Sequence, residues 1–134
     1  MNIKKSFDIN CETWNKKVAI HAKSNFYNVS EFKNGKSSLN KYEVTGLGDV
    51  ANKSILHLQC HFGQDTLSWA RMGADCTGID LSDEGIRLAK QLNEELGLNS
   101  KFICCNVLDV SKHLNTKFDI VFTSYGTIGW LPDL

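Results

Sequence analysis

The sequence predicts an α/β domain, a buried parallel sheet with helices packed on both of its faces. Two observations predict it. Beyond Asn52, four short apolar runs of strand length alternate with stretches whose apolar residues recur at helical spacing. Each run is also followed at once by polar groups or glycine. Strands separated by helices pair in parallel through right-handed crossovers, which buries the sheet between two helical layers. The 134 residues suit one compact domain.

Residues 1–51 read as an amino-terminal helical extension, polar with scattered aromatics, and residues 52–134 as the α/β domain proper. In the extension a helix is expected over 12–22, where Trp14, Val18 and His21 share a face. A second is expected over 38–47, ahead of the turn Gly48-Asp49. Ser54-Ile-Leu-His-Leu58 is the first strand, and 65–72 the helix after it, with Gly73 placed to end it. Cys76-Thr-Gly-Ile79 is the second strand. Ser82 then caps a helix whose first turn holds Asp83 and Glu84, where the helix dipole favours negative charge. Ile86, Ala89, Leu92 and Leu96 form its apolar stripe, and Gly97 stops it. Phe102-Ile-Cys-Cys105 and Phe118-Asp-Ile-Val-Phe-Thr123 complete the set of strands.

Composition narrows the function classes. Fifteen basic residues balance fifteen acidic ones, with neither sign gathered in a block, so nothing favours nucleic acid or an anionic membrane as partner. The five cysteines, an odd count placed mostly in apolar stretches, read as reduced thiols in a reducing compartment. The basic amino terminus has no apolar run behind it, and no stretch approaches the roughly 18 apolar residues that span a bilayer. A cytoplasmic location is expected.

In an open parallel sheet, ligands bind beyond the carboxyl ends of the strands, where the strand order reverses. The loops to read are therefore 59–66, 80–82, 106–109 and 123–127. Ile55-Leu-His-Leu-Gln-Cys-His-Phe-Gly63, with Asp80 after the second strand, Asn106 after the third and Phe118-Asp119-Ile120-Val121 in the fourth, resembles the class I S-adenosylmethionine-dependent methyltransferases. The longer strings His57-Leu-Gln-Cys-His-Phe-Gly-Gln-Asp-Thr66 and Phe122-Thr-Ser-Tyr-Gly126 are similar to those of a bacterial subgroup whose amino-terminal extension Ser24-Asn25-Phe26-Tyr27 fits. The resemblance implies a three-layer Rossmann-like fold with seven strands in the complete family. Four are recognisable here, in the order 3-2-1-4, so the chain is expected to be the front portion of a longer domain. Its uncovered fourth strand would then offer an edge through which two copies pair.

The resemblance also implies S-adenosylmethionine as cofactor and an unidentified, small-molecule methyl acceptor. Gln59, Cys60, His61, Gly63 and Asp65 would lie along its methionine part. Asp80 would grip both ribose hydroxyls, with Leu81 beside it. Asn106, Val107 and Leu108 would hold the adenine, and Thr123 and Tyr125 would stand near the methyl group. Asp109 is a further candidate for the adenine amino group, and Ser124 for the loop beside the methyl. No catalytic base is assigned.

The first loop departs from the family pattern. Glycine usually occupies three positions there, and here they are Gln59, His61 and Gly63. Histidine tolerates positive φ better than most side chains, so the loop shape is expected to survive. Each candidate also has a plainer reading. Asp80 could cap the helix at Ser82, Asn106 and Asp109 could be turn residues, and 123–125 a simple loop exit. Trp14, His21, Phe26 and Tyr27 could form a lid over the cofactor or cover a face of the sheet, and Trp130 could border the acceptor.

Two other readings are weaker. His57, Cys60 and His61 are potential zinc ligands, but strand alternation is expected to set His57 and Cys60 on opposite faces, and no second ligand pair follows. Cys104-Cys105 reads as two small buried hydrophobes rather than a redox pair. A nicotinamide-dependent oxidoreductase would need Gly-x-Gly-x-x-Gly, which the spacing around Gly63 does not provide. A binding module without catalysis is the remaining alternative.

Overall fold

The computed structural model describes residues 2–24, 27–124 and 127–132. Strands β1 (Ser54–Leu58), β2 (Asp75–Asp80), β3 (Lys101–Cys104) and β4 (Ile120–Phe122) form one parallel sheet in the order β3-β2-β1-β4. The helices are α1 (Ile3–Ala22), α2 (Val29–Lys33), α3 (Lys41–Leu47), α4 (Gln64–Arg71), α5 (Asp83–Glu95) and α6 (Val110–His113). The expected order 3-2-1-4 and the three-layer arrangement are both present.

Alternation along the strands sorts the core. On one face Ile55, Cys76 and Phe122 pack under Trp69 of α4, while Phe102 packs with Ile86, Ala89 and Leu92 of α5. On the other face Leu56, Ile79 and Cys105 are covered by Val107, Val110, Leu114 and Phe118. Trp69 is fully buried and meets Phe122 edge-on at 5.8 Å. Gly78 makes room for the tilt of Phe102, since a Cβ there would come within 2.8 Å of that ring and 2.9 Å of the Cys60 sulfur. The amphipathic stripe of α5 and its cap, Ser82 Oγ accepting from the Gly85 N–H, are as the sequence predicts.

Several boundaries differ, each for a local reason. The first helix begins at Ile3 rather than at residue 12, with the Asn2 side chain capping it through the Lys4 N–H. Phe7, Cys11, Trp14, Val18 and His21 recur along it at alternating steps of four and three, so one face runs its whole length. The short α2 was not expected. It is capped by Asn28 in the left-handed conformation. Helix α3 starts at Lys41 instead of 38, because Asn40 and Glu43 form a reciprocal capping box there. β4 is shorter than predicted. In place of ladder bonds at its start, the Asp119 carboxylate accepts from the Ser54 N–H and hydroxyl, and the Asp119 N–H donates to Ser54 Oγ.

Two cysteine expectations are corrected. Cys104 is exposed, its thiol donating to the Leu81 carbonyl, and only Cys105 of that pair is buried. Cys60 and His57 do not lie on opposite faces, because both approach the Thr66 hydroxyl. Gln59 turns into the left-handed region immediately after β1, which ends the alternation on which the expectation rested. Among the described residues no helix is long and apolar enough to cross a membrane.

Candidate functional site

The carboxyl ends of all four strands open into one cavity of about 190 Å³. Gln59, Cys60, His61, Gly63, Asp65, Asp80, Leu81, Asn106 and Val107 line it together. The sequence-predicted loops therefore converge, as an open parallel sheet requires. Four assignments fare differently. Leu108 is 51% exposed and turned to solvent. Thr123 is tied to the loop base, its hydroxyl bonded to Leu58 O and Thr127 Oγ1, and Ser124 faces the cavity instead. Tyr125 lies outside the described residues. Asp109 is paired at 2.9 Å with Lys112 rather than turned to the crevice.

The first loop keeps the backbone of a glycine-rich turn without the glycines. Gln59, His61 and Gly63 have φ of 54°, 56° and 86°. Left-handed backbone costs a non-glycine residue roughly 1–2 kcal/mol, so the two side chains must recover it elsewhere. Gln59 Nε2 donates to Thr127 O at 3.0 Å, stitching the first loop to the segment after β4. His61 shares a hydrogen bond with His21, ring nitrogen to ring nitrogen at 2.8 Å. Gly63 suits its place twice over, by its positive φ and because a Cβ there would stand 3.0 Å from the side chains of Ala89 and Phe102. It leads into α4 with no side-chain cap, so the N–H groups of that first turn are left for other acceptors.

Asp80 ends β2 at the centre of the cavity wall. One carboxylate oxygen accepts from the His61 N–H and the other from the Ser82 N–H, both at 2.8 Å. A carboxylate has about four acceptor positions, so each oxygen retains capacity for a second donor. Burial pushes its carboxyl above the ordinary range, and the backbone donors pull it part of the way back. Asn106 likewise has two roles. Its Oδ1 caps the following turn through Leu108 N, which leaves the amide nitrogen as its donor. Ile79, Leu81, Cys105 and Val107 supply an apolar slot between them.

The amino-terminal segment roofs the cavity. Phe7, Asn10 and Trp14 of α1, together with Tyr27, line it from above, and Trp130 and Leu131 from the far side. Trp14 meets His61 at 5.4 Å and Trp130 at 5.3 Å, both edge-on, while His21 stacks on Tyr27 at 4.7 Å. Of the two placements open for these aromatics, Trp14 and Tyr27 take the one over the crevice, and His21 packs against Tyr27 and His61. Phe26 lies outside the described residues. Burial holds His61 down to about 3, with the neighbouring His21 and Lys17 adding to the effect, so the imidazole pair shares its proton in a neutral state. Phe7 and Asn10 were missed in the sequence because the helix was started too late. The four-and-three spacing from Phe7 through Cys11 to Trp14 is the signal that finds this face, and Asn10, three residues after Phe7 and four before Trp14, adjoins it.

Asn15 fastens this roof to α5. Its Oδ1 accepts from Ser82 Oγ at 2.5 Å and Glu84 N at 3.3 Å, and its Nδ2 donates to Asp83 Oδ1 at 2.8 Å. Asn15→Ala is expected to cost about 1–2 kcal/mol, the range for a small set of partly buried hydrogen bonds. Thermal unfolding followed by circular dichroism should register it as a fall of roughly 3–6 °C. An unchanged midpoint would mean that α1 is held by its apolar face alone.

Comparison with known proteins gives a consistent result. Residues 55–134 match a family described as a methyltransferase domain. The chain is 34% identical over 86 residues to a ubiquinone biosynthesis O-methyltransferase of Pseudoalteromonas translucida, covering 64% of this chain and 36% of that protein. It thus spans about a third of the length of the curated relatives it matches. Among solved structures, a 16S rRNA methyltransferase from T. thermophilus, in complex with AdoMet and guanosine, is 26% identical with a TM-score of 0.54. That match covers 63% of this chain and 22% of the other. A TehB-like SAM-dependent methyltransferase from Corynebacterium glutamicum, 21% identical with a TM-score of 0.60 over 78% of this chain and 56% of its own, shares the fold.

Proposed function

Since the chain belongs to the methyltransferase-domain family, we propose that its cavity holds S-adenosylmethionine for transfer of a methyl group to a small-molecule acceptor. The observation that carries this reading is the Asp80 carboxylate, fixed by two backbone N–H groups at the cavity wall with acceptor capacity left on both oxygens. Two vicinal ribose hydroxyls match that capacity. Beside it, the slot formed by Ile79, Leu81 and Val107 suits a flat purine, with the Asn106 amide nitrogen at its edge. At the opposite end the uncapped start of α4 offers backbone N–H groups to a carboxylate.

When bound, the cofactor supplies an activated methyl group on a sulfonium, so the protein's contribution is to hold donor and acceptor in line and keep water out. The aromatic roof serves the second task. Its closure by Trp14 and Trp130 over the first loop shields the centre of the crevice. The chain spans only about a third of the curated relatives, so the identity of their acceptors is not carried over.

Titration calorimetry with S-adenosylhomocysteine and, separately, NAD tests the reading on this chain. Saturable binding of the thioether nucleoside with no heat from NAD is the expected result. The reverse preference, or no binding of either, overturns it.

A further inference from the structure

Burial divides the five cysteines into two groups. Cys60, Cys76 and Cys105 are buried, whereas Cys104 is exposed and Cys11 partly so. The two accessible ones are far apart in sequence, on α1 and at the end of β3, yet their thiols donate to one oxygen. Cys11 Sγ stands 3.4 Å from the Leu81 carbonyl oxygen and Cys104 Sγ 3.6 Å from the same atom. Each is therefore the other's neighbour, close enough for the charge of Cys11 to act on Cys104. A thiol is a weak donor, so turning both side chains from the carbonyl toward each other gives up little.

Their placement gives a bond between them a consequence. Cys11 belongs to the helix whose Phe7, Asn10 and Trp14 roof the cavity. Cys104 is followed at once by Cys105 and Asn106, which line the wall of the cavity below that roof. On this side α1 is held by the hydrogen bonds of Asn15 to Ser82, Asp83 and Glu84. A covalent link beside them would fix the roof to the sheet.

We propose that Cys11 and Cys104 form a redox-responsive disulfide that fastens α1 over the cavity, with a low-molecular-weight disulfide such as oxidised glutathione as the oxidant. The exposed Cys104 reacts first. Its thiolate attacks one glutathione sulfur, the glutathione S–S bond breaks, and one glutathione leaves. Cys11 then attacks the Cys104 sulfur of the mixed disulfide and displaces the second glutathione. Two protein thiols are oxidised, one glutathione disulfide is reduced to two thiols, and the two protons pass to them. Burial, joined by the negative charge of Asp83, holds both cysteines above the ordinary thiol range, so thiolate is scarce at neutral pH and exchange is slow. For the same reason no stabilised thiolate favours the reduced form, and the bond once made is not easily reduced. None of this depends on which molecule the cavity holds.

The full chain is incubated with oxidised glutathione at mildly alkaline pH, alkylated, and mapped by peptide mass spectrometry, with fragmentation to separate Cys104 from Cys105. Wild type is expected to lose two of its five free thiols and to gain one link, between Cys11 and Cys104. Cys11→Ser should instead retain glutathione on Cys104, and Cys104→Ser should gain no link. Both replaced positions have solvent access, and circular dichroism reports that the variants are folded. In the cross-linked chain the amides of α1 should exchange with deuterium about tenfold or more slowly, returning to the starting rate after reduction with dithiothreitol. A bond to Cys60, Cys76 or Cys105, a wild-type chain that keeps glutathione on Cys104 without closing the link, or five untouched thiols would each overturn the proposal. So would a closed bond that leaves the exchange of α1 unchanged.

Discussion

Asp80→Ala is expected to weaken S-adenosylhomocysteine binding by about 100-fold. Each hydrogen bond from a ribose hydroxyl to a carboxylate contributes roughly 1.5–3 kcal/mol, and 1.4 kcal/mol is a factor of ten, so losing two gives at least that much. The substitution also removes the acceptors of the His61 and Ser82 N–H groups, which fix the first loop and the start of α5. Part of the loss therefore arises from a loop that no longer holds its left-handed backbone at His61. Asp80→Asn separates the two contributions. It preserves the shape and one oxygen but sets an amide N–H against one backbone donor. Binding should fall by a comparable factor, with a smaller drop in melting temperature than Asp80→Ala produces. Calorimetry checks the affinities and circular dichroism the melts. Wild-type affinity in Asp80→Ala would remove the ribose from this position.

The features that were legible in the sequence are those written in contiguous residues. The four strands, the stripe of α5 and its Ser82 cap each depend on a pattern a few residues long, and each is found close to where it was read. The convergence of Gln59, His61, Asp80 and Asn106 followed from topology alone, since the ends of adjacent parallel strands must meet. What the sequence hid depends on partners distant along the chain. Asn15 is an unremarkable polar residue until Ser82, Asp83 and Glu84 arrive beside it. The substitution of glycine by Gln59 and His61 reads as a defect until their side chains are seen to bond Thr127 and His21. The early start of α1 was hidden differently, by lysines and asparagines interleaved with its apolar face.

These contacts tie the first loop to the extension. His61 belongs to the first loop by its backbone and to the roof by its side chain, where it meets Trp14, His21 and Tyr27. A glycine at 61 would satisfy the left-handed backbone at no cost, yet it would leave α1 without that anchor. The departure from the family pattern is thus where the amino-terminal segment is joined to the crevice.

His57 is expected to make the fold sensitive to acid. It is buried near the end of β1, with Nδ1 bonded to Thr66 Oγ1 at 2.6 Å and Nε2 without a partner among the described residues. Protonation would place a charge in the core and add a second donor with no acceptor, so desolvation holds the group down to about 3. In the unfolded chain it titrates near 6.5, so the unfolded state takes up the proton first as pH falls. The contribution of His57 is therefore complete above pH 6.5 and is lost between there and pH 3, at close to 1.4 kcal/mol per pH unit once below about 6. His61, also held down to about 3, acts in the same direction. Asp65, lifted to about 6, acts in the opposite one, because its folded form binds a proton before the unfolded form does between pH 6 and 3.8. Below 3.8 that compensation is exhausted and the histidines act alone. His57→Asn keeps a hydrogen-bonding group near Thr66 and removes the titration. Urea unfolding at pH 6, 5 and 4 should show the stability of the variant falling less steeply than wild type, with a difference of roughly 3 kcal/mol accumulated across those two units. Parallel pH dependences would mean that His57 accepts its proton inside the folded sheet.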